Sequence, residues 1–183
     1  VGYDKEINSQ PKPQFKGLAG FILLRLDDLG ARWLTSTVLL IAAAFIAYKF
    51  KTKRPLILAA ISLLLLHLIV GTVKISLGRT KPRDGFDLLH AGGMAYPSGH
   101  ASNVVLGWGL LAYLIYRYAK VNRYQGRLAS AAVVLISLVV CTVSLIRHTH
   151  WFTDLLGGLF VGSALLVTVI AIDRYVPSKS QLH

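Results

Sequence analysis

Long apolar runs, not alternation and not a one-sided stripe, dominate this chain. Five of them reach membrane-spanning length: about Ala31 to Tyr48, Pro55 to Val73, Ser98 to Tyr118, Leu128 to Ile146 and Thr153 to Ile172. A helical span needs ~20 mostly apolar residues. Backbone groups inside lipid must be satisfied within the segment, so the runs predict helices. Barrel strands would be shorter and would alternate. Ahead of the first run, "FKGLAGFILLRLDDLG" is apolar on one side and carries Arg25, Asp27 and Asp28 on the other. That pattern predicts a helix lying on the bilayer surface. "SQPKPQ" before it reads as a loop, and the tail "VPSKSQLH" as a frayed end.

The expected fold is therefore an all-α, polytopic transmembrane bundle of five spans plus an N-terminal interfacial helix. The organisation divides into a polar segment at 1–16, one membrane domain at 17–175 and a tail at 176–183. No apolar core of a signal peptide stands in residues 1–16. An outward N-terminus without such a signal leaves room for a sixth span upstream.

Composition agrees. Of the 183 residues, 54% are apolar without counting glycine, against ~45–50% with glycine in an ordinary soluble domain. Mean hydropathy is +0.56. The net charge of +12 would point to nucleic acid in a soluble protein. Here the apolar runs exclude that class, and basic loops orient a membrane protein instead. Lys49, Lys51, Lys53 and Arg54 follow the first run, and Arg117, Lys120, Arg123 and Arg127 follow the third. Both loops, with the C-terminus, are expected on the cytoplasmic side. The connections at 74–97 and 147–153 then face outward. The single cysteine, Cys141, lies inside an apolar run and reads as a buried small hydrophobe.

Three polar clusters meet the outward ends of the spans. "KISLGRTKPRD" holds Lys74, Arg79, Lys81 and Arg83. In "PSGH", Pro97 suits a helix start, Ser98 is a good N-cap, and the free amides behind it form an anion site that His100 faces. In "SLIRHTHWFTD", His150 and Asp154 are four apart and would share a helix face. A carboxylate on one ring nitrogen fixes the tautomer and leaves the other nitrogen free to attack. Ser144 and Arg147 are expected on much the same face, with His148 pointing away as an interfacial residue. His67, inside the second run, reads as a hydrogen-bonded packing residue. His90 and His183 receive no role.

Two histidines, several cations and a helix N-terminus describe a phosphoryl-transfer site. Spread phosphate charge needs positioned donors and cations. One histidine can attack and the other can protonate the leaving oxygen. Asp84, Asp87 and Asp154 do not form a convincing metal cage, so no metal and no cofactor are expected.

At these residues the chain resembles the type 2 phosphatidic acid phosphatase family of integral membrane phosphatases. That family carries Lys, six residues, Arg-Pro; then PSGH; then Ser-Arg, five residues, His, three residues, Asp. This chain has Lys74, six residues, Lys81-Pro82; then Pro97-Ser98-Gly99-His100; then His150, three residues, Asp154. The resemblance covers roughly residues 20–172. It implies His150 as a nucleophile forming a phosphohistidine, Asp154 as its orienting partner and His100 as general acid. It implies Lys74, Ser98 and the Gly99 amide as phosphate ligands. Two positions depart. Lys81 stands where the family has arginine, keeping charge but losing the bidentate fork, with Arg79 or Arg83 left to supply it. Val143-Ser144 fills the Ser-Arg position, with Arg147 the nearest arginine.

The implied substrate is a lipid phosphate: polyprenyl diphosphate, phosphatidylglycerol phosphate, phosphatidic acid or a lipid A phosphate. The implied setting is a bacterial inner membrane, with the site on the extracytoplasmic face and membrane lipids as neighbours. Two other readings remain open on the residues alone. One is a phosphotransferase using the same phosphohistidine, and the other a non-catalytic protein that binds anionic lipid.

Overall fold

Among the described residues, eight α-helices follow one another: α1 (Gly2–Ser9), α2 (Gly17–Asp28), α3 (Arg32–Lys49), α4 (Arg54–Leu77), α5 (Gly99–Asn103), α6 (Gly109–Tyr118), α7 (Arg123–Ile146) and α8 (Phe152–Tyr175). A π-helical turn at Val104–Trp108 joins α5 to α6, and a 3-10 turn at Pro82–Asp84 lies in the α4–α5 connection. The computed structural model describes residues 2–10, 13, 15–119 and 121–176. There is no strand among them.

Among the described residues, four helices are long and apolar enough to cross a membrane: α3, α7, α8, and α4 with the turn that follows it. The third expected span is helical throughout, from Gly99 to Tyr118, but is built as α5, the π turn and α6 in succession. The expected surface helix is α2. The segment read as polar at 1–16 contains α1. Its sequence hid it, because a polar helix of eight residues is too short to be stable alone and is held by tertiary contacts. The tail beyond Val176, with His183, lies outside the described residues.

The helix ends follow local chemistry. Pro55 sits in the first turn of α4, where its missing N–H costs nothing. Gly78 closes α4 in the left-handed region at φ 52°, its N–H returning to the carbonyl of Lys74. Asn122 and Gln125 form a reciprocal capping box at the start of α7.

One buried cluster joins α3, α4, α6 and α8 through Leu39, Ala43, Ala59, Leu63, Leu110, Leu114 and Val169. Exposed Ile41, Phe45, Leu64, Leu135, Phe160 and Val167 face outward, as lipid-facing positions should. At the end of the bundle away from the histidines, buried Asp173 ties three helices. Nε of Arg54 donates to its Oδ1, while Nε of Arg117 lies 3.0 Å and Oη of Tyr113 2.7 Å from Oδ2. Breaking such a buried pair costs ~3–5 kcal/mol. His67 is not the hydrogen-bonded packing residue expected. It is half-buried in α4, and its Nε2 has no hydrogen-bond partner.

Candidate active site

The opposite end of the bundle gathers the polar clusters. Lys74, in the last turn of α4, donates from Nζ to the carbonyls of Met94 and Ala95. The 78–97 connection is therefore pinned over its head. The same connection closes on itself, Ala91 N–H to Gly78 O at 3.0 Å and Ala95 N–H to Arg79 O at 2.9 Å.

Ser98 caps α5 as its residue type predicts. Its buried Oγ accepts from the Ala101 amide at 3.3 Å, and its own N–H donates to the Asp154 carbonyl at 2.8 Å. The start of α5 is thus fastened to the start of α8. Gly99 and His100 form the first turn, both half-buried. The α2–α3 turn packs directly on His100: a Cβ on Gly30 would lie 2.9 Å from the His100 Cβ. Asn103 Nδ2 holds the Gly30 carbonyl at 3.3 Å and Trp108 Nε1 the Leu29 carbonyl at 2.9 Å.

His150 is not on a helix with Asp154, contrary to the i, i+4 expectation. α7 ends at Ile146 and His148 takes φ 52°, which breaks the helix. His150 therefore precedes α8, with Trp151 as N-cap and Asp154 in the first turn. The two still meet, because Asp154 folds back over the helix start. One of its oxygens, Oδ2, accepts the Trp151 amide at 2.9 Å and stands 3.5 Å from His150 Nδ1. At that distance the contact is an ion-pair approach and not a hydrogen bond; the buried Nδ1 has no hydrogen-bond partner. The same break takes Ser144 and Arg147 off a common helix face with His150. His148 reaches α1, its Nδ1 2.6 Å from Asn8 Oδ1.

Arg79, expected as a phosphate ligand, is otherwise engaged. It is buried among three carboxylates: Asp87 at 2.8 Å from Nε, Asp154 at 2.7 Å from NH1 and Asp4 at 2.6 Å from NH2. Thr153 Oγ1 takes a further bond from NH1 at 2.7 Å. No donor of its fork faces outward for an anion. Asp4 comes from α1 and also accepts the Thr153 amide at 3.0 Å. Burial alone would raise the Asp4 pKa, but the hydrogen bonds from Thr153 and Arg79 outweigh it and hold the carboxyl below its ordinary value.

Arg147 caps the end of α7 and pairs with Asp27 of α2, whose other oxygen accepts from Ser144 Oγ at 3.2 Å. His100 lies within electrostatic reach of Asp27, His150, Arg147 and Lys74. Lys74 in turn lies within reach of Asp154, Lys81 and Arg32. The fold thus brings Lys74, Lys81, Ser98, His100, Arg147, His150 and Asp154 to one end. Lys81 stands half-buried at the entry to the 3-10 turn. Sequence reasoning missed Asp4, Thr153, Gly30 and Arg32, and saw Asp27 only as the polar side of a surface helix. Among the described residues no group of three His, Cys, Asp or Glu side chains is arranged to hold a metal ion.

A bundle of apolar helices with two histidines, a caged arginine and a capped helix start defines a polytopic membrane protein with a polar cluster at one end of its spans. The chain belongs to the PAP2 superfamily, which matches residues 55–177. It is 25% identical over 120 residues to phosphatidylglycerophosphatase B of Bacillus subtilis (strain 168), a match covering 62% of this chain and 59% of that protein. The chain thus spans less than two thirds of that relative's length. Its fold is similar to the crystal structure of a transmembrane PAP2-type phosphatidylglycerolphosphate phosphatase from Bacillus subtilis. The TM-score is 0.84 at 20% identity, over 97% of this chain and 88% of that one.

Proposed function

We propose that this protein is a membrane lipid phosphatase working through a phosphohistidine, with phosphatidylglycerol phosphate the leading substrate. The observation that carries the reading is the fastening of the start of α5, with His100, to the start of α8 through the Ser98 amide and the Asp154 carbonyl at 2.8 Å, with the Asp154 carboxylate 3.5 Å from His150 Nδ1. Family membership and the Bacillus subtilis relative support the substrate class.

In this reading Nε2 of His150, the nitrogen turned away from Asp154, attacks phosphorus. The bond to the lipid oxygen breaks, and that oxygen takes a proton from His100. Water then attacks the phosphohistidine, giving its proton to His100, and inorganic phosphate leaves. Asp154 stabilises the imidazolium that forms at the attack step. Lys74, Lys81, Ser98, the Gly99 amide and Arg147 hold the phosphate oxygens, where fixed donors favour the charge that develops. The basic ends of α4, α6 and α7 lie away from the histidines, which supports an extracytoplasmic site in a bacterial inner membrane.

The test is phosphate release from phosphatidylglycerol phosphate, phosphatidic acid and polyprenyl diphosphate in detergent, with and without chelator. Release is expected with chelator present, and H150A and H100A should each abolish it. Activity surviving H150A, or loss on chelation, would refute the mechanism. Labelled phosphate recovered on an alcohol acceptor would make the protein a phosphotransferase.

A further inference from the structure

A groove of about 860 Å³ runs along the membrane-facing side of the bundle, away from the histidine site. Its floor is the π turn and α6; its walls are α7 and α8, which pack on that floor and hardly on each other. Val134 and Leu138 line one wall, Leu159, Leu166 and Ile170 the other. The serines on the α7 wall are effectively apolar, since Ser130 and Ser137 return their hydroxyls to the carbonyls of Gly126 and Val133.

Polarity concentrates at one end. Arg123 and Arg127, one turn apart at the start of α7, and Arg174 in the last turn of α8 line the groove there. Two other arginines at this end, Arg54 and Arg117, are paired with Asp173. Arg123, Arg127 and Arg174 have no carboxylate partner among the described residues. Three unneutralised guanidiniums thus crown an apolar furrow open to lipid.

We propose that this groove is a binding site for an anionic diacyl phospholipid of the leaflet opposite the histidine site. The headgroup phosphate sits among Arg123, Arg127 and Arg174, and the acyl chains lie between α7 and α8. Basic pockets between transmembrane helices select anionic headgroups in this way, and guanidinium forks match phosphate oxygens. A second copy of the chain fits less well, because a two-fold contact would set the same arginines face to face. The site is separate from the phosphatase reading and stands whether or not that reading holds.

The test is native mass spectrometry of the full chain in detergent, with added phosphatidylglycerol or phosphatidylcholine of the same acyl chains. The wild type should retain phosphatidylglycerol in preference to phosphatidylcholine. The R123Q/R127Q/R174Q variant should lower that retention by about tenfold or more. V134W, which fills the furrow and leaves the arginines in place, should lower it too, and H150A should not. Equal retention of both lipids, retention unchanged in R123Q/R127Q/R174Q and V134W, loss in H150A, or a dimer that closes the groove would each overturn the proposal.

Discussion

Arg79 donates to one oxygen of Asp154 at 2.7 Å, and the other oxygen of that carboxylate stands 3.5 Å from Nδ1 of His150. In the proposed reaction the arginine would act on the histidine through Asp154, as a positioning residue. Lysine at 79 keeps the charge but can reach only part of the three-carboxylate cage. R79K is expected to lower kcat by about 10²-fold, the scale of a small misplacement at a reacting group, with KM little changed. A residue that held substrate phosphate would raise KM instead, and steady-state kinetics of phosphate release separates the two. R79Q leaves buried carboxylates without their cation and should destabilise the fold by ~3–5 kcal/mol, read by thermal unfolding in detergent.

Asp27 places a carboxylate on Arg147, within reach of His100. An incoming phosphate must share Arg147 with that carboxylate and approach its like charge. Neutralising it should favour substrate: D27N is expected to lower KM on the order of tenfold, the effect of removing one nearby like charge at a partly buried site. The KM of D27N against that of the wild type decides it. A raised KM would mean that Asp27 serves to aim Arg147.

Most of the bundle was legible in the sequence because lipid imposes it: runs of spanning length can only be helices. The third span was equally readable as a run, but nothing in "SNVVLGW" announced a π turn. The site was legible where local rules govern, as at Ser98, whose capping role follows from its place before Gly99. It was not legible where distant segments meet. Arg79 read as a phosphate ligand because its three carboxylates come from positions 4, 87 and 154, far apart in the chain. His150 and Asp154 keep a spacing that suits a helix, yet they meet across a helix start, because His148 ends the preceding one.

Docking of α1 depends on Asp4, whose pKa is held below its ordinary value near 3.8 by Thr153 and Arg79 against the opposing effect of burial. A depressed carboxyl contributes stability that is present above the unfolded pKa and lost as pH falls through the folded value. A nitroxide attached after Ser9→Cys should therefore be restrained at neutral pH and gain mobility only below about pH 3.8. D4N should give the mobile spectrum already at neutral pH. A label equally mobile at all pH values, or unmoved by D4N, would dismiss the docking role of this carboxylate.

Two glycines of α8 let α5 lie directly against it. A Cβ on Gly158 would lie 2.4 Å from the Ser98 carbonyl, and one on Gly162 2.8 Å from that of Ser102. Small residues four apart let membrane helices approach closely. Here the approach sets α5, with His100, against the start of α8, with Asp154, and allows the Ser98 amide to reach the Asp154 carbonyl at 2.8 Å. The obstacle at Gly158 is backbone, which cannot swing aside as a side chain could. G158A should cost ~1–3 kcal/mol of stability, as overpacking does, and should lower kcat by shifting His100 away from His150. G71A is the control, since nothing lies within 4 Å of the added methyl. Thermal unfolding and phosphate release measured on both variants should separate them, and a G158A protein as active and stable as G71A would show that α5 and α8 do not need this contact.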